Sequence, residues 1–185
     1  MSMGEIAGAV GIKAPSLYNH YKSKRDIFNA ILEKMQENYV RQAGALNIDG
    51  TKAESDAAFF GNCSEDMLIQ TGKGLFLFFL HDEWTAAFRR MLTVEQFKSG
   101  EISRLYSEQY FDGPLAYQAQ MLGMLTAGGV LNCADPKIAA VHFYSPIYML
   151  LELCDREPQR EAEALELIEQ HIRQFNKLYG NEGNK

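Results

Sequence analysis

Apolar side chains recur at steps of three and four along nearly the whole chain, the period of helices with one buried face. The first such stretch starts at Ser2, which can cap a helix with Glu5 as the reciprocal acceptor three residues on. Ile6 and Val10, four apart, are expected to form its apolar face. Gly11 ends it, because glycine enters the left-handed conformation at little cost. Ile12 is expected to pack in the turn. Pro15 suits the first turn of a second helix, where a missing N–H is no loss. That helix carries Leu17 and Tyr21, again four apart. Ser23 then caps a longer helix, with Asp26 in the box position. Ile27, Phe28, Ile31, Leu32, Met35 and Tyr39 carry this helix to about Ala45, where Gly44 and Asn47-Ile48-Asp49-Gly50 end it. Helix, glycine turn, helix and capped helix is the order of a helix-turn-helix. Ile6, Val10, Leu17, Tyr21 and Phe28 are expected to share its small core.

The remainder predicts a helical body. A short helix between Thr51 and Cys63 carries Ala53, Ala57, Ala58, Phe59 and Phe60. Ser64, with Glu65 and Asp66 in the first turn, starts a helix to about His81. Its centre, Leu75 to Leu80, reads LFLFFL and leaves no polar stripe. Such a run is a buried strand or a helix buried on all sides, and the helical signals on both flanks favour the helix. Asp82-Glu83-Trp84 opens a further helix, in which Phe88, Met91, Leu92 and Phe97 are expected to face inward, and Arg89 and Arg90 outward. Ile102, Leu105, Tyr106 and Tyr110 mark a short helix, which Gly113-Pro114 is expected to interrupt before another from Leu115 to Leu125. Gly128-Gly129 closes that one. Asp135-Pro136 is a helix start. The helix that follows, to about Asp155, is apolar on nearly every side and has Pro146 inside it. The last helix has one stripe of Leu165, Ile168, Ile172, Phe175 and Tyr179, and a narrower one of Ala164, Leu167 and Leu178. Two final helices with so much apolar surface call for burial on a second side, against a partner or against the body's own helices.

At Gly11-Ile12, Leu17-Tyr18, His20-Tyr21 and Lys22-Ser23-Lys24 the chain strongly resembles the DNA-binding signature of the TetR family of repressors. The resemblance implies an all-α fold: a helix-turn-helix DNA-binding head followed by a helical ligand-binding and dimerisation domain. Residues 1–46 would form the head with its connecting helix, and residues 47–180 the body. It also implies a recognition helix from about Ala14 to Tyr21. On it, Lys13, Ala14, Pro15, Tyr18 and Asn19 fall at positions that meet base edges or the groove. Ser16, Tyr18, His20 and Lys24 fall at positions that hold phosphates. The chemistry suits those places: Asn bonds adenine bidentately, Lys reaches guanine acceptors, and Ala or Pro touches a thymine methyl. By the same resemblance the protein is a two-fold dimer through its last two helices. It binds a palindromic double-stranded operator and is released by a small-molecule effector. Members of the family carry one more helix ahead of this signature, so Met1 is expected to be internal to a longer natural chain. The rival reading, a ligand-binding helical dimer that has lost DNA binding, follows from that difference.

Composition narrows the classes. The 185 residues carry a net charge of −6, which argues against a general nucleic-acid coat. The charge is uneven, however: Lys13, Lys22, Lys24 and Arg25 form an acid-free basic segment, and the acids concentrate at residues 155–169. Cys63, Cys133 and Cys154 are widely spaced without a CxxC, which fits free thiols in a reducing compartment. With no signal-peptide pattern or transmembrane run, a cytoplasmic protein is expected. No GxSxG, P-loop or GxGxxG occurs, and His81-Asp82-Glu83 lacks a metal-ligand spacing, so neither an enzyme nor a cofactor or metal is expected. Phe76, Phe79, Trp84, Phe88, Tyr110, Tyr117, Met121, Met124, Phe143 and Tyr144 are candidates to line a pocket for an apolar or aromatic effector. His81, the tyrosine hydroxyls and Gln118 could supply its polar groups.

Overall fold

A computed structural model of the chain describes residues 1–181, and no strand occurs among them beyond one isolated bridge between Leu131 and Gly180. The chain divides into two compact units, Met1–Tyr39 and the part from Val40 onward.

The first unit holds helices α1 (Met3–Ala9) and α2 (Ala14–His20) and most of α3 (Lys24–Ala45). The Ser2 hydroxyl accepts from the Glu5 N–H at 3.2 Å while the Glu5 carboxylate accepts from the Ser2 N–H, a full capping box. The Ser2 backbone N–H, and then its hydroxyl, hold the Glu5 carboxyl below its ordinary pKa. Gly11, at φ +73°, turns the chain after α1. Pro15 stands in the first turn of α2, as its fixed φ favours. At the start of α3 the Asp26 N–H donates to the Ser23 hydroxyl at 3.2 Å, and the Asp26 carboxylate accepts from the Lys22 N–H at 2.9 Å. The box is therefore shifted by one residue from the expected reach to Ser23.

Met3, Ala7 and Leu17 form the core of this unit, with Ile6, Ala14, Tyr21 and Ile27 against it. Val10 and Ile12 are exposed, against expectation. The reason is that α1 stops at Ala9, so the partner of Ile6 one turn on falls outside the helix. Met3 and Ala7, the other pair four apart, are buried instead.

The second unit is built from α4 (Ala53–Phe60), α5 (Glu65–His81), α6 (Glu83–Glu95), α7 (Gly100–Ser107), α8 (Gly113–Ala127), α9 (Pro136–Arg156) and α10 (Glu161–Tyr179). Ser64, Asp82 and Asp135 cap α5, α6 and α9 through their side chains. The LFLFFL run is helical, and none of its six residues is exposed. α8 packs along α9, α4 lies on α8, and α10 lies on both α9 and α5. Gly113-Pro114 does not interrupt the path. A π-helical turn, Glu108–Asp112, joins α7 to α8, and Pro114 falls in the first turn of α8, where its absent N–H leaves no bond unmade.

Arg89 corrects the sequence reading of α6. It is 0% exposed, whereas Phe97 is 90% exposed and Met91 is also on the surface. The Arg89 Nε and Nη2 donate to the two carboxylate oxygens of Asp155 on α9 at 2.6 and 2.9 Å, and Nη1 donates to the Phe79 carbonyl at 2.7 Å. With all three nitrogens met, the guanidinium can turn inward, and the helix shows Met91 to solvent instead. Arg90, which is exposed as expected, adds a bond to Asp155 at 2.8 Å. Burial pushes the Asp155 carboxyl up, but the hydrogen bonds and charge of Arg89, then of Arg90, outweigh it and hold the pKa below its usual value.

Asp56 on α4 is a second buried polar anchor, 1% exposed. Its carboxylate accepts from the backbone N–H groups of Asp49 and Gly50 at 2.7 and 2.8 Å, and from the Tyr117 hydroxyl on α8. It thereby fastens the loop that follows α3 to α8. Nearby, a Cβ on Gly74 of α5 would meet a terminal methyl of Leu46 at 2.9 Å, so a larger residue there would make the Leu46 side chain shift.

Two outcomes in urea unfolding follow. Asp155→Ala strands the Arg89 charge and is expected to cost about 3 kcal/mol, and Arg89→Met combined with Asp155→Leu is expected to recover most of it. Because the folded Asp155 pKa is depressed, its contribution is present above the unfolded value and is lost as pH falls through the folded one. The parent's advantage over Asp155→Asn should therefore shrink below about pH 4. Asp56→Ala leaves two N–H groups and a phenol unmet and should cost about 2 kcal/mol, with Tyr117→Phe costing about 1.

Candidate DNA-reading face and effector cavity

α2 is short, but its two sides differ sharply. Leu17 is buried and Ala14 is half-buried against the core of the first unit. Lys13, Pro15, Ser16, Tyr18, Asn19 and His20 are all exposed, as is Lys24 at the start of α3. Seven of the eight residues expected to meet DNA are thus open to solvent, and Ala14 is partly so. Lys13 precedes α2 without a side-chain cap, so the first N–H groups of α2 have no side chain of that residue on them. Lys13 before α2 and Lys24 after it are exposed cations on either side of the helix in the chain, which suits contact with phosphate oxygens.

In the body the structure places a cavity of about 350 Å³ among α4, α5, α8, α9 and α10. Of the ten candidate effector residues, Met121 and Phe143 line it. The other eight lie elsewhere. Phe76 and Phe88 are buried in the core, and Phe79 is half-buried, its carbonyl bound by Arg89. Tyr117 is engaged by Asp56. Tyr144 donates to the Tyr110 carbonyl at 2.9 Å. Burial pushes the hydroxyl pKa of both Tyr110 and Tyr144 well up, so both stay neutral. His81 and Trp84 are exposed, with the His81 Nε2 against Glu161 at 2.8 Å. Met124 packs against the core beside a shallower groove of about 530 Å³. Among the described residues, the Tyr110 hydroxyl and the Gln118 side-chain oxygen are buried without a hydrogen-bond partner.

The cavity residues that the sequence did not single out include Phe60, Cys63, Leu68, Leu125 and Phe175. Phe60 and Phe175 were legible as inward positions of their helices, but nothing local marks them as facing a void. Among the described residues there is no group of acidic, His or Cys side chains able to hold a metal, and no helix is long and apolar enough to cross a membrane.

Comparison with known proteins agrees with this architecture. Residues 1–31 match the family of bacterial regulatory proteins, tetR family, and residues 66–181 match the AefR-like transcriptional repressor C-terminal domain. No curated protein matches significantly. Among solved structures, one described as a TetR-family transcriptional regulator from Mesorhizobium loti is 24% identical with a TM-score of 0.66, covering 98% of this chain and 87% of that one. The flavonoid-responsive regulator FrrA is 23% identical with a TM-score of 0.60, covering 98% and 88%. SmeT, the repressor of the Stenotrophomonas maltophilia multidrug efflux pump SmeDEF, is 18% identical with a TM-score of 0.61, covering 98% and 81%. These likenesses share the fold, and the two domain matches make this chain a member of the TetR family of bacterial regulatory proteins.

Proposed function

We propose that this protein is a ligand-responsive transcriptional repressor that binds a palindromic operator as a homodimer and leaves it when a small molecule occupies the body. The exposed face of α2, with Tyr18, Asn19 and His20 outward and Leu17 inward, carries the reading. Residues 1–46 act as the head and its connecting helix, and residues 47–180 as the body. Lys13, Ala14, Pro15, Tyr18 and Asn19 meet the groove; Ser16, Tyr18, His20 and Lys24 hold phosphates. FrrA is described as flavonoid-responsive and SmeT as the repressor of a multidrug efflux pump, and these descriptions support an effector that is apolar or aromatic. The cavity of about 350 Å³ sits at the lower end of the usual range for such sites, roughly 300–1,000 Å³.

Exposed apolar residues on the last two helices support the dimer. On α9, Ile138, Val141 and Met149 face solvent, and on α10 Leu167 and Leu178 do, with Leu178 at 66% exposure. Ile138 and Met149 are three helical turns apart, as are Leu167 and Leu178, so each pair lies along one face of its helix. A two-fold partner presenting the same stripes would cover them. The two heads then fall on successive major grooves about 34–36 Å apart or a multiple of that. Occupation of the body releases DNA only if the effector binds the released conformation more tightly than the DNA-bound one.

Gel shifts on the DNA upstream of the protein's own coding sequence, across a salt series, test the reading. Tyr18→Ala is expected to lower affinity at least tenfold. Lys24→Ala should reduce the salt slope by about one per head. Unchanged binding by the combined Tyr18→Ala, Asn19→Ala and Lys24→Ala variant would leave the protein a ligand-binding dimer without a DNA role. In sedimentation, Met149→Glu with Leu167→Glu is expected to convert a dimer to a monomer.

A further inference from the structure

We infer that Asp56 and Tyr117 form a latch that couples occupation of the body cavity to the end of α3. The inference rests on the effector-cavity reading above and adds the route by which that cavity acts. Asp56 is buried on α4, and Tyr117 is half-buried on α8. One turn further along each helix stands a residue of the cavity wall: Phe60 after Asp56, and Met121 after Tyr117. Residues four apart share a helix face, so wall and latch lie in line on both helices.

From the latch, hydrogen bonds run on to α3. Oδ2 of Asp56 accepts from both the Tyr117 hydroxyl and the Gly50 N–H, the latter at 2.8 Å. Oδ1 accepts from the Asp49 N–H at 2.7 Å. The residue before, Ile48, is buried and donates its N–H at 3.0 Å to the carbonyl of Ala43, in the last turn of α3. Ala43 is buried as well. The phenol and a loop N–H share one oxygen. When the phenol leaves, the carboxylate is free to turn, and its hold on Gly50 loosens. A connected series of packed and hydrogen-bonded groups of this kind carries strain from one end to the other.

The bonds differ in what they span. Asp49 and Gly50 lie seven and six residues before Asp56 and move with α4, whereas Tyr117 lies 61 residues away on another helix. A guest that presses on Phe60 and Met121 moves α4 against α8, so the link to Tyr117 gives first. Open volume adjoins the seam of these two helices at two places. One is the cavity, and the other is the groove of about 530 Å³ lined by Ala57, Ala58, Gly61 and Met124. α4 thus has room to shift, which a fully close-packed seam would deny it. With the latch closed, the loop after α3 is held; with it open, Ile48 to Gly50 and the last turn of α3 loosen.

Cys63 lines the cavity and lets it be filled with no identified effector. Benzyl methanethiosulfonate leaves a benzylthio group on Cys63 through a disulfide, which dithiothreitol removes. Cys133 and Cys154 are buried, and peptide mapping checks that Cys63 alone is modified. Burial pushes the Cys63 thiol up, so the reaction is run at mildly alkaline pH. Leu68→Phe, which enlarges another wall residue, is a second route to filling and needs no label. The readout is amide hydrogen exchange at Ile48, Asp49 and Gly50 in the full chain. Filling is expected to speed exchange at these amides about tenfold, and dithiothreitol should reverse the effect of the label. Tyr117→Phe keeps the ring and removes the hydroxyl. It should raise the same rates by itself, and filling should then add less than about twofold. Tyr144→Phe, which loses a phenol bond to the Tyr110 carbonyl, should respond to filling like the parent. The inference is overturned if filling leaves these amides unchanged in the parent. It is equally overturned if Tyr117→Phe responds as strongly as the parent, the result for a bond that only stabilises the fold. Operator binding in gel shifts is scored separately. Coupled exchange without DNA binding sinks only the repressor reading, and DNA binding with uncoupled exchange sinks only the latch.

Discussion

A guanidinium without solvent contact sits among three helices of the body, and the packing there is organised by the need to satisfy it. Arg89 of α6 reaches Asp155 of α9 and the Phe79 carbonyl of α5. A buried ion pair of this kind contributes little net stability compared with well-packed apolar groups, but losing one partner is costly, so it restricts the registers the helices can adopt. The polar seam continues along α9. The Tyr106 and Tyr148 hydroxyls meet at 2.7 Å, and Tyr148 and Thr93 both donate to Glu152. Burial, then the Tyr106 hydrogen bond, push the Tyr148 hydroxyl pKa far up, so this phenol stays protonated and donating.

The Asp56 anchor has a different consequence. Its carboxylate ties two backbone N–H groups just beyond α3 to Tyr117 of α8. α8 also supplies Met121, Leu122 and Leu125 to the cavity wall, and α4, which carries Asp56, supplies Phe60. The cavity and the end of the connecting helix are thus served by the same two helices. Interiors are close-packed, so a guest that shifts α8 against α4 cannot do so without straining this anchor. Leu46 against Gly74 adds a second tight contact at the same place. In a repressor of the proposed kind, these would be the points at which occupation of the body bears on α3.

The head depends on shorter-range forces. Its helices are set by caps that bond their own backbone within three or four residues: Ser2 with Glu5, and Ser23 with Asp26. Its core is small, and Leu17 alone on α2 is fully buried, which leaves the rest of that helix free to present polar groups outward.

How far each feature could be read in advance follows from this difference in range. The all-α class, the helix starts at Ser2, Ser23, Ser64, Asp82 and Asp135 and the two-sided character of α2 are written in residues that interact within a single turn, so the linear order suffices for them. Even the ambiguous LFLFFL run was decided by its capped flanks. The burial of Arg89 could not be read, because its partner Asp155 lies 66 residues away and an arginine beside an arginine reads as surface. The cavity was equally hidden: of the ten side chains expected in it, only Met121 and Phe143 line it. Aromatic residues at helical spacing mark an inward face, and whether that face meets packed neighbours or a void depends on how five separate helices converge. The sequence by itself determined the elements and their faces, since those are local; the tertiary structure decided which inward residues pair, pack or enclose space, since those depend on partners distant along the chain.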